Sequence, residues 1–108
     1  MRIYISIPIT GHDEQRQREK ADLIKASLSR AGHSAVSHFD IYAGPNPQYA
    51  DYLCYDLRSL ADCDAIYLCE GWQLSKGCRI EAYFAREFRK QIMFEREPEQ
   101  PSEFYFER

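Results

Sequence analysis

The chain alternates between short apolar runs and longer amphipathic segments. Residues 2–7 alternate β-branched with polar or aromatic side chains and stop at Pro8, which predicts a first strand followed by a loop. Residues 65–69 are almost continuously apolar, as expected for a third strand that is covered on both faces. Shorter apolar stretches at residues 34–40 and 91–95 predict a second and a fourth strand.

Between these strands, apolar residues recur at the three- and four-residue spacing of a helix. The first helix has a cap at His12 or Asp13 and a stop at Gly32. Its polar first half, residues 14–20, is expected to project past the sheet as a solvated face. The predicted helices cover about residues 14–31, 48–62 and 76–88.

Strands that alternate with helices predict a parallel sheet with helices on both faces, joined by right-handed crossovers. At 108 residues, the chain has room for one domain. The expected fold is therefore a flavodoxin-like (Rossmann-like) α/β three-layer sandwich with strand order 2-1-3-4. Residues 96–102 are expected to form an irregular connection, and residues 103–107 either a short fifth strand or a contact with another subunit.

In a sheet of this order, ligands bind beyond the carboxyl ends of the strands, between strands one and three. Those ends are residues 6–11 and 70–75, and Glu81 near the start of the third helix is expected at the same edge. Glu81 shares a helical face with Ala85 and Phe88, the face that should pack on the sheet. An inward acidic residue is costly without partners or a task, although a glutamate favoured only by the helix dipole stays the plainer alternative.

Composition narrows the classes of function. The contents of 44% hydrophobic and 29% charged residues are those of an ordinary globular protein. A net charge of −3 and a pI near 5.6 argue against a nucleic acid polymer as the main partner. The sequence has no apolar run long enough to cross a bilayer and no signal peptide, so we expect a cytoplasmic protein without membrane contact. The four cysteines lack metal-ligand spacing, so reduced thiols are expected, with no metal and no cofactor.

Three blocks of sequence carry a resemblance to a known family. They are Ile3-Tyr4, the run DLRSLADCDA that begins at Asp56, and the run SKGCRIEAYFA that begins at Ser75. These blocks resemble the nucleoside 2′-deoxyribosyltransferase superfamily, and more closely a group of small phage and bacterial proteins within it. The resemblance implies a nucleoside or nucleotide as the small-molecule partner, and a homo-oligomer. The polar residue that a neighbouring subunit contributes to the site in the family has no clear match in this chain.

The resemblance also implies roles for individual residues. Glu81 would be the nucleophile, Asp56 its catalytic partner, and Tyr4 a residue that contacts the nucleophile. Ser75 stands where the base-exchanging transferases carry aspartate and where the branch that hydrolyses deoxynucleoside 5′-monophosphates carries serine, which favours a phosphate-bearing substrate. The chain departs from that branch at Ile7-Pro8, where the branch has a glycine-containing phosphate-binding sequence.

Cleavage of an N-glycosidic bond passes through an oxocarbenium-like transition state, so it needs an anion at C1′ and a proton donor for the leaving base. Glu81 is expected to attack C1′ and form a covalent deoxyribosyl intermediate, while Asp56 protonates or holds the base. Water would complete a hydrolase, and a second base would complete a transferase. By helical spacing alone, Asp56 falls on the border of the buried face, where a solvated aspartate is the commoner case.

Hydroxyls, backbone N–H groups and one positive charge around the start of the third helix form a candidate seat for a 5′-phosphate. An ordinary loop would explain the same residues equally well. Trp72 either stacks on a base or packs in the core, and His38 is interpreted as a strand-end histidine without a special role. The residues of the phosphate seat are Ser6, Thr10, Gly11, Ser75, Lys76 and Gly77.

Two other functions stay open. A non-catalytic nucleotide-binding or sensing module would keep the phosphate seat and lose the productive carboxylate geometry. An NAD-cleaving hydrolase is a further alternative, because related folds use a helix-borne glutamate on the nicotinamide ribose. Replacing Glu81 by glutamine separates binding from catalysis. Testing NAD beside deoxynucleotides distinguishes an NAD-cleaving hydrolase from an enzyme that cleaves deoxynucleotides.

Overall fold

The computed structural model describes residues 1–96, in which strands and α-helices alternate. The elements are β1 (Arg2–Ser6), α1 (Glu14–Arg30), β2 (Ser34–Ser37), α2 (Tyr49–Ala61), β3 (Ala65–Leu68), α3 (Lys76–Glu87) and β4 (Gln91–Phe94). The strands are all parallel in the order β2-β1-β3-β4, which confirms the predicted flavodoxin-like α/β arrangement. The predicted fifth strand at residues 103–107, and the connection before it beyond Arg96, lie outside the described residues.

The two faces of the sheet bury separate apolar clusters, because successive side chains of a strand point to opposite faces. On one face, Ile3 and Ile5 of β1 pack in a cluster with Ala21 and Leu28 of α1. Residues of β1 and β3 form the other cluster with α2 and α3. Its members include Tyr4, Leu60, Ile66, Leu68, Ala82 and Ala85. The two central strands are therefore covered on both sides, which puts α3 against the face of β1 that carries Tyr4.

The start of α1 is fixed by Asp13, whose carboxylate accepts a hydrogen bond from a backbone N–H of the first turn at 3.0 Å. The expectation that the polar first half of this helix projects past the sheet is wrong at two positions. Gln17 donates to the carbonyl oxygen of Pro8, and Lys20 pairs with Glu95 directly after β4 at 2.8 Å. These contacts hold the start of α1 beside the carboxyl edge of the sheet.

The strand β2 is shorter than the predicted segment, residues 34–40. At Ser37 the chain enters a short 3-10 helix, His38–Asp40, because two side chains cap the turn. The Ser37 hydroxyl accepts from the N–H of Phe39 at 3.2 Å, and the Asp40 carboxylate accepts from the N–H of Ser37 at 2.9 Å. This reciprocal cap ends the strand and carries His38 out of the sheet.

The expectation that Phe88 packs on the sheet is wrong, since 63% of the residue is exposed. The helix α3 ends at Glu87 and Phe88 is its C-cap, so Phe88 leaves the helical face on which Glu81 and Ala85 are buried. Its ring stacks instead on Phe84, with 4.4 Å between the centroids.

Within residues 1–96, no helix has both the length and the apolar character needed to cross a membrane.

The four cysteines are free thiols, as the sequence predicts. Cys54 is exposed on α2, whereas the other three are buried. Those three are Cys63, Cys69 and Cys78.

Candidate active site

A pocket with a volume of about 260 Å³ lies at the carboxyl edge of the sheet, where β1 and β3 end. Its walls come from the loop after β1, the first residue of α1, the turn after β2, one face of α2 and the first turns of α3. The volume suits one small molecule. The lining residues are Tyr4, Ile7, Ile9, Thr10, Glu14, His38, Tyr49, Tyr52, Leu53, Asp56, Ser75, Gly77, Cys78 and Glu81.

Glu81 lines this pocket although only 5% of the residue is exposed. Both of its carboxylate oxygens accept hydrogen bonds from β1. The Tyr4 hydroxyl donates to Oε2 and the Ser6 hydroxyl donates to Oε1, each at 2.7 Å. Tyr4 and Ser6 are two positions apart on a strand, so both point to the layer that contains α3. The two donors explain how an inward carboxylate is tolerated, and they fix its orientation.

The surroundings of Glu81 change its acidity. Burial, followed by the negative charge of Asp56, raises the pKa of Glu81 to about 7, and the hydrogen bonds from Ser6 and Tyr4 offset part of that rise. Burial and the charge of Glu81 raise the pKa of the Tyr4 phenol well above its ordinary value, so Tyr4 keeps its proton and stays a donor. Near neutral pH, Glu81 is therefore divided between carboxylate and carboxylic acid, which is common for a catalytic carboxyl group.

Asp56 is the second buried carboxyl group of the pocket. It is 6% exposed, so its interpretation as a solvated border residue is wrong. Its Oδ2 lies 2.9 Å from Nδ1 of His38, and this hydrogen bond raises the pKa of His38 against the opposing effect of burial. Its Oδ1 is buried and accepts no hydrogen bond from any of residues 1–96. A buried carboxylate oxygen without a protein donor is a candidate acceptor for a ligand N–H.

His38, interpreted from the sequence as a strand-end histidine without a special role, lies at the pocket and has two partners there. The imidazole bonds to Asp56, and its ring centroid lies 5.0 Å from that of Tyr52. Sequence reasoning also missed Tyr49, Tyr52 and Leu53 as pocket residues. The sequence does contain a signal for them. Tyr52, Leu53 and Asp56 follow Tyr49 by three, four and seven positions, which places all four residues on one helical face.

Part of the predicted phosphate seat is at the pocket. Thr10, Ser75 and Gly77 line it. The Ser75 hydroxyl caps α3, where it accepts a hydrogen bond from the N–H of Cys78 at 3.2 Å. Ser6 is fully buried, and its hydroxyl is already engaged by the Glu81 carboxylate.

Gly11, Lys76 and Trp72 are not among the residues that line the pocket. Gly11 lies in the turn before α1 with a φ of 83°. Lys76 is exposed, with its Nζ 6.0 Å from the centroid of the Tyr49 ring. Trp72 is 4% exposed and lies in the apolar cluster under α2 and α3, with its ring centroid 6.4 Å from that of Phe94. Of the two interpretations of Trp72, packing is the one that the structure shows.

The charges of the pocket are mostly negative. Glu14, the first residue of α1, adds a third carboxyl group to those of Asp56 and Glu81, and His38 is the basic side chain. Within residues 1–96, no lysine or arginine lines the pocket. The same part of the chain contains no group of three or more His, Cys, Asp or Glu residues arranged to hold a metal ion.

Comparison with known proteins supplies a family and no activity. A family model described as a domain of unknown function (DUF4406) matches residues 1–94, which include every pocket residue described above. No curated protein matches the chain. The function has to be inferred from the chemistry of the pocket.

Proposed function

The chain belongs to the DUF4406 family, and we propose that it cleaves the N-glycosidic bond of a 2′-deoxynucleoside or of its 5′-monophosphate. The observation that carries this proposal is the buried Glu81 carboxylate in a pocket, held through both oxygens by Tyr4 and Ser6. The three blocks that resemble the nucleoside 2′-deoxyribosyltransferase superfamily each reach this pocket, through Tyr4, Asp56 and Glu81. The proposal therefore places the protein in or beside that superfamily.

Glu81 is the proposed nucleophile. Its carboxylate oxygen forms a bond to C1′ while the bond from C1′ to the base nitrogen breaks and leaves its electron pair on the base. The carboxylate also stabilises the positive charge that develops on the sugar in a site with little water. Because Tyr4 and Ser6 hold the carboxylate in one orientation, little rotational freedom is lost when it approaches C1′.

Asp56 is proposed to hold the leaving base and to deliver a proton to it. Its Oδ1 has no hydrogen-bond partner among residues 1–96, so in this proposal Oδ1 carries the proton and donates it to the nitrogen of the leaving base. The departing base anion needs one proton, and the hydrogen-bonded pair of Asp56 and His38 holds one. After the transfer, this pair is one proton poorer and the base is neutral.

The covalent intermediate is then opened at C1′ by water or by a second base. Water leaves its hydroxyl group on the sugar and returns a proton to the pair of Asp56 and His38, which restores both this pair and the Glu81 carboxylate. A second base would instead bond to C1′ through a ring nitrogen, give the proton of that nitrogen to the same pair, and leave as a new nucleoside. The rings of Tyr49 and Tyr52 offer aromatic faces for the base. In this proposal the protein works in the cytoplasm, without a cofactor, as a homo-oligomer.

The test is release of free base, followed by chromatography. The substrates are deoxynucleosides, their 5′-monophosphates and NAD, each incubated with wild type, Glu81→Gln and Glu87→Gln. Glu87 is the matched control, because it is an exposed glutamate on the same helix. We expect base release by wild type and by Glu87→Gln, and a loss of at least about 1,000-fold in Glu81→Gln, since the covalent route requires a carboxylate nucleophile.

Three other outcomes would contradict the proposal. Equal activity in Glu81→Gln would exclude Glu81 as nucleophile. Release of nicotinamide from NAD alone would make the protein an NAD-cleaving hydrolase. Binding of a nucleotide by wild type and Glu81→Gln, with no base released by either, would make it a sensing module.

A further inference from the structure

The pocket contains an excess of acidic groups. Glu14, Asp56 and Glu81 contribute three carboxyl groups, and one of them, Asp56, is paired with His38. Among the lining residues described, His38 can balance the charge of Asp56, and none is a cationic partner for Glu14, so the pocket keeps a net negative charge. A substrate that carries its own negative charge would therefore meet repulsion on entry.

Within residues 1–96, the lysine and arginine side chains of α1 and α3 do not line the pocket. Lys20 and Lys25 of α1 form ion pairs with carboxylates at 2.8 and 3.1 Å, and the Arg18 guanidinium lies 4.7 Å from the centroid of the Phe39 ring. Lys76 lies outside the lining, over the Tyr49 ring. Within residues 1–96, a phosphate in the pocket would find no lysine or arginine among the residues that line it.

The helix N-termini do not compensate for this lack. The positive end of a helix is worth roughly half an elementary charge. At α1, that end is offset by Asp13, the cap, and by Glu14 in the first turn. At α3, the Ser75 hydroxyl already accepts from the N–H of Cys78. Beside the pair of Asp56 and His38, one partial positive charge thus faces the carboxyl groups of Glu14 and Glu81.

We infer that the pocket takes the unphosphorylated 2′-deoxynucleoside and that Glu14, at the mouth of the pocket, rejects the 5′-monophosphate. The reaction in this inference rests on the proposed function, whereas the preference for the nucleoside over the monophosphate rests on the charges of the pocket. It reverses the expectation from Ser75, whose hydroxyl serves as a helix cap. Glu14 would then be a residue that determines specificity and takes no part in the chemical step.

The charge of Glu14 is felt inside the pocket, since it is one of the charges that raise the pKa of His38. A 5′-phosphate carries roughly −1.5 to −2 charges near pH 7. Repulsion by the Glu14 carboxylate should therefore lower kcat/KM for the monophosphate by about tenfold or more. Salt should reduce this effect, because an exposed carboxylate is screened over about 10 Å at 0.1 M ionic strength and about 3 Å at 1 M.

The experiment measures one ratio: kcat/KM for a deoxynucleoside divided by kcat/KM for its own 5′-monophosphate, over matched pairs with all four bases. The proteins are wild type, Glu14→Gln and Glu19→Gln. Glu19 is the matched control, because it is an exposed glutamate on the same helix that does not line the pocket. For wild type we expect a ratio of about tenfold or more, which falls with added salt. Glu14→Gln should lower the ratio severalfold, and Glu19→Gln should leave it at the wild-type value.

A wild-type ratio below one would overturn the inference, and so would a ratio that Glu14→Gln and Glu19→Gln change equally. If no substrate is cleaved, the proposed function fails, and the charge preference is decided by binding. Calorimetric titration of wild type would then compare deoxyadenosine with deoxyadenosine monophosphate. Tighter binding of the nucleoside, lost in Glu14→Gln alone, would support the preference. Tighter binding of the monophosphate, or binding of neither, would refute it.

Discussion

Burial of Glu81 should make the stability of the protein fall as the pH rises. The pKa of this carboxyl group is raised from 4.5 to about 7 in the folded protein, mainly by burial. A raised pKa means that the folded state keeps a proton that the unfolded state has already lost. The resulting stabilisation is fully present below about pH 4.5 and is lost as the pH rises through about 7.

The size of the effect follows from the two pKa values. The two pKa values differ by about 2.5, and a difference of one corresponds to about 1.4 kcal/mol, so the whole range is worth roughly 3 kcal/mol. Roughly three quarters of this loss falls between about pH 5 and about pH 8. Because Glu81 is almost fully buried, solvent screening takes little away from this figure.

Urea unfolding at four or five pH values between about 5 and 8 measures this loss. The quantity to compare is the free energy of unfolding of wild type minus that of Glu81→Gln, since glutamine has a similar shape and cannot ionise. We expect this difference to change by roughly 2 to 3 kcal/mol in favour of the variant as the pH rises. The exposed Glu87→Gln should show no such trend. A parallel pH dependence in wild type and Glu81→Gln would refute the idea that Glu81 is buried with a raised pKa.

Three further outcomes are expected. If Glu81 must be ionised and His38 protonated, the pH profile of kcat/KM should be bell-shaped, with Glu81 responsible for the acid limb and His38 for the alkaline limb. A flat profile would contradict these roles. Tyr4→Phe removes one of the two donors to the Glu81 carboxylate, a bond worth about 1.5 to 3 kcal/mol, and should move the acid limb upward by roughly one to two pH units. An unchanged limb would show that Tyr4 does not stabilise the charge. A chromogenic disulfide should label Cys54 quickly in the native protein and all four thiols after unfolding, because the others are buried; rapid labelling of a second thiol would contradict the fold.

Much of the fold could be predicted because each element has a local signal. The apolar run at β3 and the helical spacing in α3 each follow from side chains that lie close in sequence. The end of β2 could not be predicted in this way, since the cap between Ser37 and Asp40 competes with strand pairing over the same residues. The exposure of Phe88 cannot be predicted for a similar reason, because periodicity does not show at which residue a helix ends.

The candidate site was harder to predict, since its partners come from different elements. Periodicity placed Glu81 on an inward face, and the structure adds the two hydroxyls that receive it. His38 meets Asp56 only because the chain turns after β2, and a lone histidine gives no sign of that turn. The sequence pattern predicts that Glu14 belongs to a solvated helix start. Its position beside the pocket depends on how α1 packs on the sheet.

The two hydrogen bonds to Glu81 join residues that are 77 and 75 positions apart in the sequence. Contacts of such long range form only when α3 has docked on the central strand, so the pocket has no local precursor that could survive partial unfolding. Substitutions that loosen the layer between β1 and α3 should lower the population of competent molecules without touching the pocket. A variant that is selected for activity must therefore also keep α3 docked on β1, so selection for activity also favours cooperative folding of these two elements.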